Sequence, residues 1–170
     1  MQDRIKVSEP SVSRLISFLK DKGFTVCRAG QENWLSPKLH EQIRYIHDNT
    51  TIDLIRYFPD LVVYRIDIGC FLVQAKSTTP KYYGGNNFSM ETACLTIDKK
   101  LSDIGVRVLV VFENRPNEFY GEWANKIKPI YETTETGAFD GSRTPMSLVE
   151  KASVLELKDK EPVRVVKGSS

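Results

Sequence analysis

The chain has 170 residues, of which 41% are hydrophobic and 27% are charged, and its formal net charge is +2. This length and apolar content are typical of one globular domain that buries its own core, so we predict a single domain over residues 1–170. The balanced charge excludes a long disordered tail and a uniformly basic nucleic-acid coat, so any contact with nucleic acid must come from locally clustered charges.

The N-terminal sequence MQDRIKVSEP has no apolar run of the kind found in signal peptides. No stretch reaches the roughly 20 apolar residues that span a bilayer. Three cysteines, Cys27, Cys70 and Cys94, lie far apart without the Cys/His spacing of a zinc site. We therefore expect a cytoplasmic protein with reduced thiols and no membrane partner.

Two helices and a short strand are predicted before residue 50. An apolar stripe at helical spacing ends at Gly23 and predicts a helix over residues 11–22. Its members are Val12, Leu15, Ile16 and Leu19. Residues 24–28 are typical of a strand, residues 29–38 are rich in loop formers, and a second helix is predicted over residues 39–47.

Two runs of β-forming residues, 61–64 and 71–73, predict an antiparallel hairpin, with Gly69 in the turn region. A turn centred near Ile68 would place Asp60 opposite Lys76. Side chains alternate along a strand, which puts Gln74 and Lys76 on one face. The hairpin is therefore expected to bring an acid and a lysine together.

Residues 77–87 have the composition of a loop, and Ser89 is predicted to cap a helix that ends at Gly105. The apolar stripe of this helix would be Met90, Ala93, Cys94, Ile97, Leu101 and Ile104. Residues 106–112 form a nearly continuous apolar run, which predicts a central strand buried on both faces. The order strand, helix, strand predicts a crossover onto the same sheet. In the remaining extension, 114–170, we expect a loop over residues 137–145 and a strand and a turn within residues 146–157.

An acid and a lysine at neighbouring strand ends suit the hydrolysis of a phosphodiester, which needs a cation to neutralise developing charge and a deprotonated water. Magnesium selects carboxylate and carbonyl oxygens, and Asp60 is a candidate ligand. The Lys76 ammonium, a compact charge with three donors, would stabilise the phosphate or position the water.

Pro59-Asp60 followed by a hairpin and by Gln74-Ala75-Lys76 resembles the motif of the PD-(D/E)XK nuclease superfamily. The resemblance implies a restriction-endonuclease-like α/β core of about residues 11–113, in the order α-β-β-β-α-β around a mixed sheet. The sequence GFTVCRAG is similar to the first strand of archaeal-type Holliday junction resolvases. The family implies a Mg²⁺-dependent endodeoxyribonuclease, with Mn²⁺ as a substitute, that cuts DNA, including branched DNA, as a homodimer.

Gln74 departs from the family, which usually has Asp or Glu at this position. An amide offers a metal its carbonyl oxygen but no charge, so the loss of one carboxylate should weaken magnesium binding. In a subgroup of restriction enzymes similar to this fold, the second acid lies on the following helix, and Glu91 is the matching residue here. The resemblance thus implies Asp60, Gln74, Lys76 and Glu91 as catalytic residues, with Asp60, Glu91 and Gln74 as metal ligands.

Candidate DNA contacts follow the lysine, where Lys81-Tyr82-Tyr83 combines a basic residue with two aromatic rings that would stack on bases. Tyrosines that simply pack on the fold are the alternative. Arg28 and Lys99 would add positive potential, as would Arg56 and Lys100.

Structural interpretations also exist for each site residue: Asp60 as a turn residue, Lys76 as a solvated edge charge and Glu91 as a partner of the helix dipole. A nuclease fold that no longer cuts and instead binds DNA or protein is the second functional hypothesis, favoured by Gln74. A chance motif in an unrelated α/β protein is the third.

Overall fold

Four helices and nine strands form within residues 2–30, 35–43, 49–78, 84–133 and 144–157, the segments that the computed structural model describes. In chain order they are α1 (Gln2–Asp21), β1 (Thr25–Arg28), α2 (Pro37–Ile43), α3 (Thr50–Arg56), β2 (Leu61–Arg65), β3 (Gly69–Ser77), β4 (Asn87–Glu91), α4 (Thr92–Asp103), β5 (Val108–Arg115), β6 (Glu118–Trp123), β7 (Tyr131–Glu132), β8 (Met146–Glu150) and β9 (Leu155–Glu156). None of the helices in these segments is both long and apolar enough to cross a lipid bilayer.

A six-stranded mixed sheet organises the fold, in the order β1-β2-β3-β5-β6-β9. Its strands pair antiparallel except for β3 and β5, which run parallel from Leu72 opposite Val108 to Ser77 opposite Glu113. The chain leaves β3, passes through β4 and α4, and returns as β5. The predicted α/β core with a mixed sheet and a crossover onto the same sheet is therefore confirmed. Beyond residue 113, β6 and β9 extend the same sheet.

Both faces of the central sheet are covered, which explains the unbroken apolar run of β5. Leu109 and Val111 point to the core under α1, whereas Val110 and Phe112 point to the core under α4. All residues from 108 to 114 are buried. A strand covered on both faces has no polar side, so its sequence does not alternate.

Several predicted boundaries were wrong. Helix α1 begins at Gln2 rather than at residue 11 and runs through Pro10. A proline removes one backbone hydrogen bond of a helix, but the helix can continue on both sides of it. Helix α2 covers Pro37–Ile43, and the rest of the predicted helix to residue 47 lies outside the described residues. Helix α3 was not predicted; the Asn49 side chain caps it by accepting hydrogen bonds from the Thr51 and Ile52 amides.

The hairpin forms as predicted, but its register is shifted by two residues. Leu61 pairs with Val73, whereas the predicted register would have paired it with Ala75. A shift of two preserves the face on which each side chain lies. Asp60 therefore lies beside Gln74 instead of opposite Lys76, while Gln74 and Lys76 still share a face.

The helix predicted from Ser89 begins later, at Thr92, because residues 87–91 form strand β4. Phe88 and Met90 are buried, whereas the residues next to them are more exposed. This alternation of buried and exposed side chains has the period of a strand. Strand β4 pairs with β8, more than 50 residues further along, in a second sheet of order β4-β8-β7. The strand predicted within residues 146–157 is thus confirmed, and Gly105, at φ 88°, follows the helix as predicted.

Candidate active site

The Asp60 carboxylate is held at the end of the hairpin. Its Oδ2 accepts hydrogen bonds from Gln74 Nε2 and from the Ala75 backbone N–H, each at 2.7 Å. The backbone is fixed as well, since the amides of Ala29 and Gly30 donate to the Asp60 carbonyl at 2.8 and 3.2 Å. Strand β2 begins at the next residue, so the carboxylate continues the β2–β3 ladder by one step and has a defined orientation.

The Gln74 side chain is 4% exposed, and its two amide atoms differ in their surroundings. Nε2 donates to Asp60, whereas Oε1 is buried and receives no hydrogen bond from the described residues. Rotating the amide would press Oε1 against the carboxylate, so the observed orientation is the favourable one. A buried carbonyl without a donor costs about 1–3 kcal/mol, which a ligand at this position would offset.

Lys76 follows two residues later on the same face of β3 and is partly buried. Burial opposes its charged form, but Cys94, Asp60 and Glu91 outweigh burial, so the pKa of the Lys76 ammonium is raised above its ordinary value. Burial raises the pKa of the Cys94 thiol to about 12, so this thiol is neutral at pH 7. The charges that support Lys76 at neutral pH are therefore those of the two carboxylates.

Glu91 is the last residue of β4 and the N-cap of α4, one position before the helix in which it was predicted. Its side chain makes no capping hydrogen bond to the helix. The Glu91 charge acts on Lys76, and it also contributes, after burial, to the raised pKa of Tyr57. The structure thus places Asp60, Gln74 and Lys76 at one end of the sheet, with Glu91 near enough to act on the charge of Lys76.

Sequence reasoning missed Asp98, which is 0% exposed on α4. Burial raises the pKa of its carboxyl to about 7, with Lys76 opposing and Asp60 adding to the rise. Its Oδ2 accepts a hydrogen bond from Cys94 Sγ at 3.9 Å, and its Oδ1 has no donor among the described residues. A signal was present in the sequence, since Asp98 lies at helical spacing from Cys94 and Leu101 within the apolar stripe.

The oxygen donors at this end of the sheet suit a hard divalent cation. Among the described residues, no three His, Cys, Asp or Glu side chains converge as a metal-binding group. The residues that could hold such a cation are Asp60 and Glu91, through their carboxylates, and Gln74, through its amide oxygen. Carboxylate and carbonyl oxygens are the ligands that magnesium prefers, and the unpartnered Gln74 Oε1 fits that role.

The predicted DNA contacts are only partly described. Lys81, Tyr82 and Tyr83 lie outside the described residues. Arg28 ends β1, near Asp60, but its guanidinium is paired with Glu9 at 2.6 Å and donates to Ser13 Oγ at 3.2 Å. On α4, Lys99 is partly exposed.

The other two basic candidates differ in their surroundings. Lys100 is exposed on α4. Arg56, at the end of α3, donates to the Ile43 carbonyl and pairs with Asp53. Its charge is thus already partly neutralised.

No protein-family model matches the chain, and neither does any curated protein. Among solved structures, the chain is similar to Hjc, a Holliday junction resolvase from the archaeal hyperthermophile Archaeoglobus fulgidus, with a TM-score of 0.47 and 10% identity over 84% of this chain and 89% of that chain. It is also similar to D212, a nuclease from a fusselovirus, with a TM-score of 0.39 and 14% identity over 91% and 84%. The mixed α/β sheet with its crossover, predicted from the sequence, is confirmed by the order and pairing of the elements described above.

Proposed function

We propose that this chain is a metal-dependent endonuclease that hydrolyses phosphodiester bonds in DNA. The observation that carries the proposal is the buried Gln74 Oε1, an oxygen without a donor among the described residues, beside the fixed Asp60 carboxylate and the charged Lys76. Together they supply oxygen ligands for a cation and a positive charge for a phosphate at one strand end.

Asp60, Glu91 and the Gln74 carbonyl would hold Mg²⁺, with Mn²⁺ as a substitute. The bound cation would neutralise charge on the phosphate and lower the pKa of a water molecule. Two carboxylates and one amide provide less negative charge than three carboxylates would. We therefore propose weaker Mg²⁺ binding than in a site with an acid at position 74.

Lys76 would act on the scissile phosphate. Its raised pKa keeps the ammonium charged at neutral pH, so it would donate hydrogen bonds to a non-bridging oxygen or orient the attacking water. The two hydrogen bonds on Asp60 Oδ2 would hold that carboxylate in place, which removes a source of disorder at the reacting centre.

DNA of unusual shape, including branched DNA, is the proposed substrate, because the sequence resembles the Holliday junction resolvase branch of the superfamily. A homodimer is proposed since two strands are most simply cut by a two-fold pair. Both refinements follow from the sequence resemblance, and a cytoplasmic location is proposed because the cysteines are expected to be reduced.

A nuclease fold that binds DNA without cutting it remains the second candidate. It is favoured by the neutral Gln74 amide, whose Nε2 already occupies one side of the Asp60 carboxylate. In that case the chain would bind branched DNA equally well with and without Mg²⁺.

Cleavage of a supercoiled plasmid and of a four-way DNA junction, in Mg²⁺, Mn²⁺ or chelator, separates the two candidates. Asp60→Asn and Lys76→Met should each lower the rate about 100-fold or more. The matched control is Asp103→Asn, an exposed acid on α4, which should retain the wild-type rate. Cleavage that survives Asp60→Asn, or junction binding without any cleavage in either metal, would remove the proposed activity.

A further inference from the structure

Glu91 differs from Asp60 in how its carboxylate is held. The Asp60 carboxylate accepts two hydrogen bonds, whereas the Glu91 carboxylate has no hydrogen bond or ion pair with another described residue. The Glu91 side chain also leaves the start of α4 uncapped. Its backbone is therefore what orients this acid, and the contacts that hold that backbone limit where the carboxylate can reach.

Thr92, the next residue, anchors the start of α4 to the second sheet through both its backbone and its side chain. Its amide, one of those that a helix leaves without an intrahelical partner, donates to the Pro145 carbonyl at 2.9 Å. Its Oγ1 lies 3.0 Å from Ser147 Oγ. Glu91 lies opposite Met146, so the two residues that hold Thr92 flank the partner of Glu91 in β8.

Ser147 is 0% exposed, and its hydroxyl connects the start of α4 with β7. Ser147 Oγ donates to Glu132 Oε1 at 3.3 Å. A serine hydroxyl has one hydrogen and a carboxylate oxygen only accepts, so Thr92 is the donor in its contact with Ser147. The hydrogen bonds thus run in one direction from Thr92 through Ser147 to Glu132, and bonds in such a chain strengthen one another.

We infer that Thr92 and Ser147 are positioning residues that fix Glu91 where its proposed role as a metal ligand requires it. The inference rests on the proposed function, because it gives the two hydroxyls a purpose through Glu91. Thr92 is joined to Glu91 by a peptide bond, so a displacement of Thr92 passes directly to the Glu91 backbone. Residues that orient a metal ligand from behind typically contribute about tenfold or more to metal affinity.

Binding of Mn²⁺, the proposed substitute for Mg²⁺, measures this role without DNA or turnover when the free ion is followed by electron paramagnetic resonance. Thr92→Val keeps the shape of the side chain but removes its hydroxyl, and Ser147→Ala removes the other hydroxyl. Each should raise the Kd for Mn²⁺ about tenfold, whereas Thr92→Ser, which keeps the hydroxyl, should stay within about twofold of the wild type. Ser89→Ala, at an exposed position of β4, is the matched control and should bind Mn²⁺ as the wild type does.

The same substitutions in a Glu91→Gln background separate positioning from general loosening. If Thr92 and Ser147 act through Glu91, neither substitution should weaken Mn²⁺ binding further once that carboxylate is gone. An unchanged Kd in folded Thr92→Val and Ser147→Ala, or an equal further loss in the Glu91→Gln background, would overturn the inference. If Ser147→Ala does not fold, Thr92→Val decides by the same comparison.

The outcomes for the wild type distinguish this inference from the proposed function. Wild-type protein that binds no Mn²⁺ would overturn both. Wild-type protein that binds Mn²⁺ and cuts no DNA, combined with the expected losses in the variants, would refute the proposed activity while leaving the positioning intact.

Discussion

Replacing Gln74 by glutamate would supply an acid where the motif that this sequence resembles usually has one, and it should destabilise the metal-free protein. The Gln74 Nε2 atom lies 2.7 Å from Asp60 Oδ2, so Gln74→Glu exchanges a hydrogen bond for a contact between two carboxylates. At that separation and an effective dielectric constant of about 20, two full charges would repel by about 6 kcal/mol. One carboxyl will take up a proton instead.

Protonation sets the expected magnitude. Holding a glutamic acid neutral at pH 7, when its unperturbed pKa is about 4.3, costs about 4 kcal/mol. The acid has a higher pKa in the folded than in the unfolded protein, so the folded state binds more protons and stability falls as the pH rises above about 4. The loss in free energy of unfolding should therefore be about 4 kcal/mol at pH 7 and about 1 kcal/mol at pH 5.

Urea unfolding followed by circular dichroism, at both pH values and in chelator or Mg²⁺, measures these changes. A cation shared by the two carboxylates would remove their repulsion, so Mg²⁺ should stabilise Gln74→Glu more than it stabilises the wild type. Gln42→Glu adds the same charge at an exposed position of α2 and should change little. Equal stability of Gln74→Glu and wild type at pH 7 in chelator would refute the contact described for Asp60 and Gln74.

Two further predictions concern packing and charge. Phe88 is 2% exposed and stacks on Phe112 at 4.7 Å, so Phe88→Ala should lower the free energy of unfolding by about 3–5 kcal/mol in urea titrations, whereas a loss below about 1 kcal/mol would mean that β4 does not pack on the central sheet. Burial favours a higher pKa of the Glu113 carboxyl, but hydrogen bonds from Arg14, from Ser11 and from a backbone amide outweigh burial and lower that pKa. Such a carboxylate stabilises the fold above its unfolded pKa. This contribution is lost as the pH falls through the folded pKa. Arg14→Met should therefore destabilise the protein more at pH 7 than at pH 3 in denaturation series, and an equal loss at both pH values would contradict this.

Local patterns predicted the parts of the fold whose neighbours lie nearby in sequence. The hairpin followed from two β-forming runs around Gly69, and the buried central strand followed from its uninterrupted apolar residues. The predicted register of the hairpin was wrong by two residues, because the turn, and not the side-chain pattern, sets the exact pairing. Asp60 was therefore predicted opposite Lys76 but lies beside Gln74, whereas the predicted face of these side chains is correct.

Residues 87–91 show why other parts could not be predicted. Phe88 and Met90 fit both a strand and the start of a helical stripe, and the choice is made by pairing with β8, which lies in a part of the sequence with weak signals. Asp98, by contrast, was predictable from the sequence, since it lies one helical turn from Cys94 within the apolar stripe. Asp60, Gln74 and Lys76 lie at one end of the sheet, while their chemical roles and that of Glu91 stay predictions.

The pairing of β4 with β8 makes the position of Glu91 depend on residues near the other end of the chain, since Glu91 lies opposite Met146. Asp60, Gln74 and Lys76, by contrast, are arranged by neighbouring strands that leave the ribosome much earlier. In a growing polypeptide, Lys76 and Asp60 would thus be synthesised well before pairing with β8 can fix Glu91. The four candidate residues can therefore be arranged together only after strand β8 has been synthesised, so a shorter nascent chain would not position Glu91.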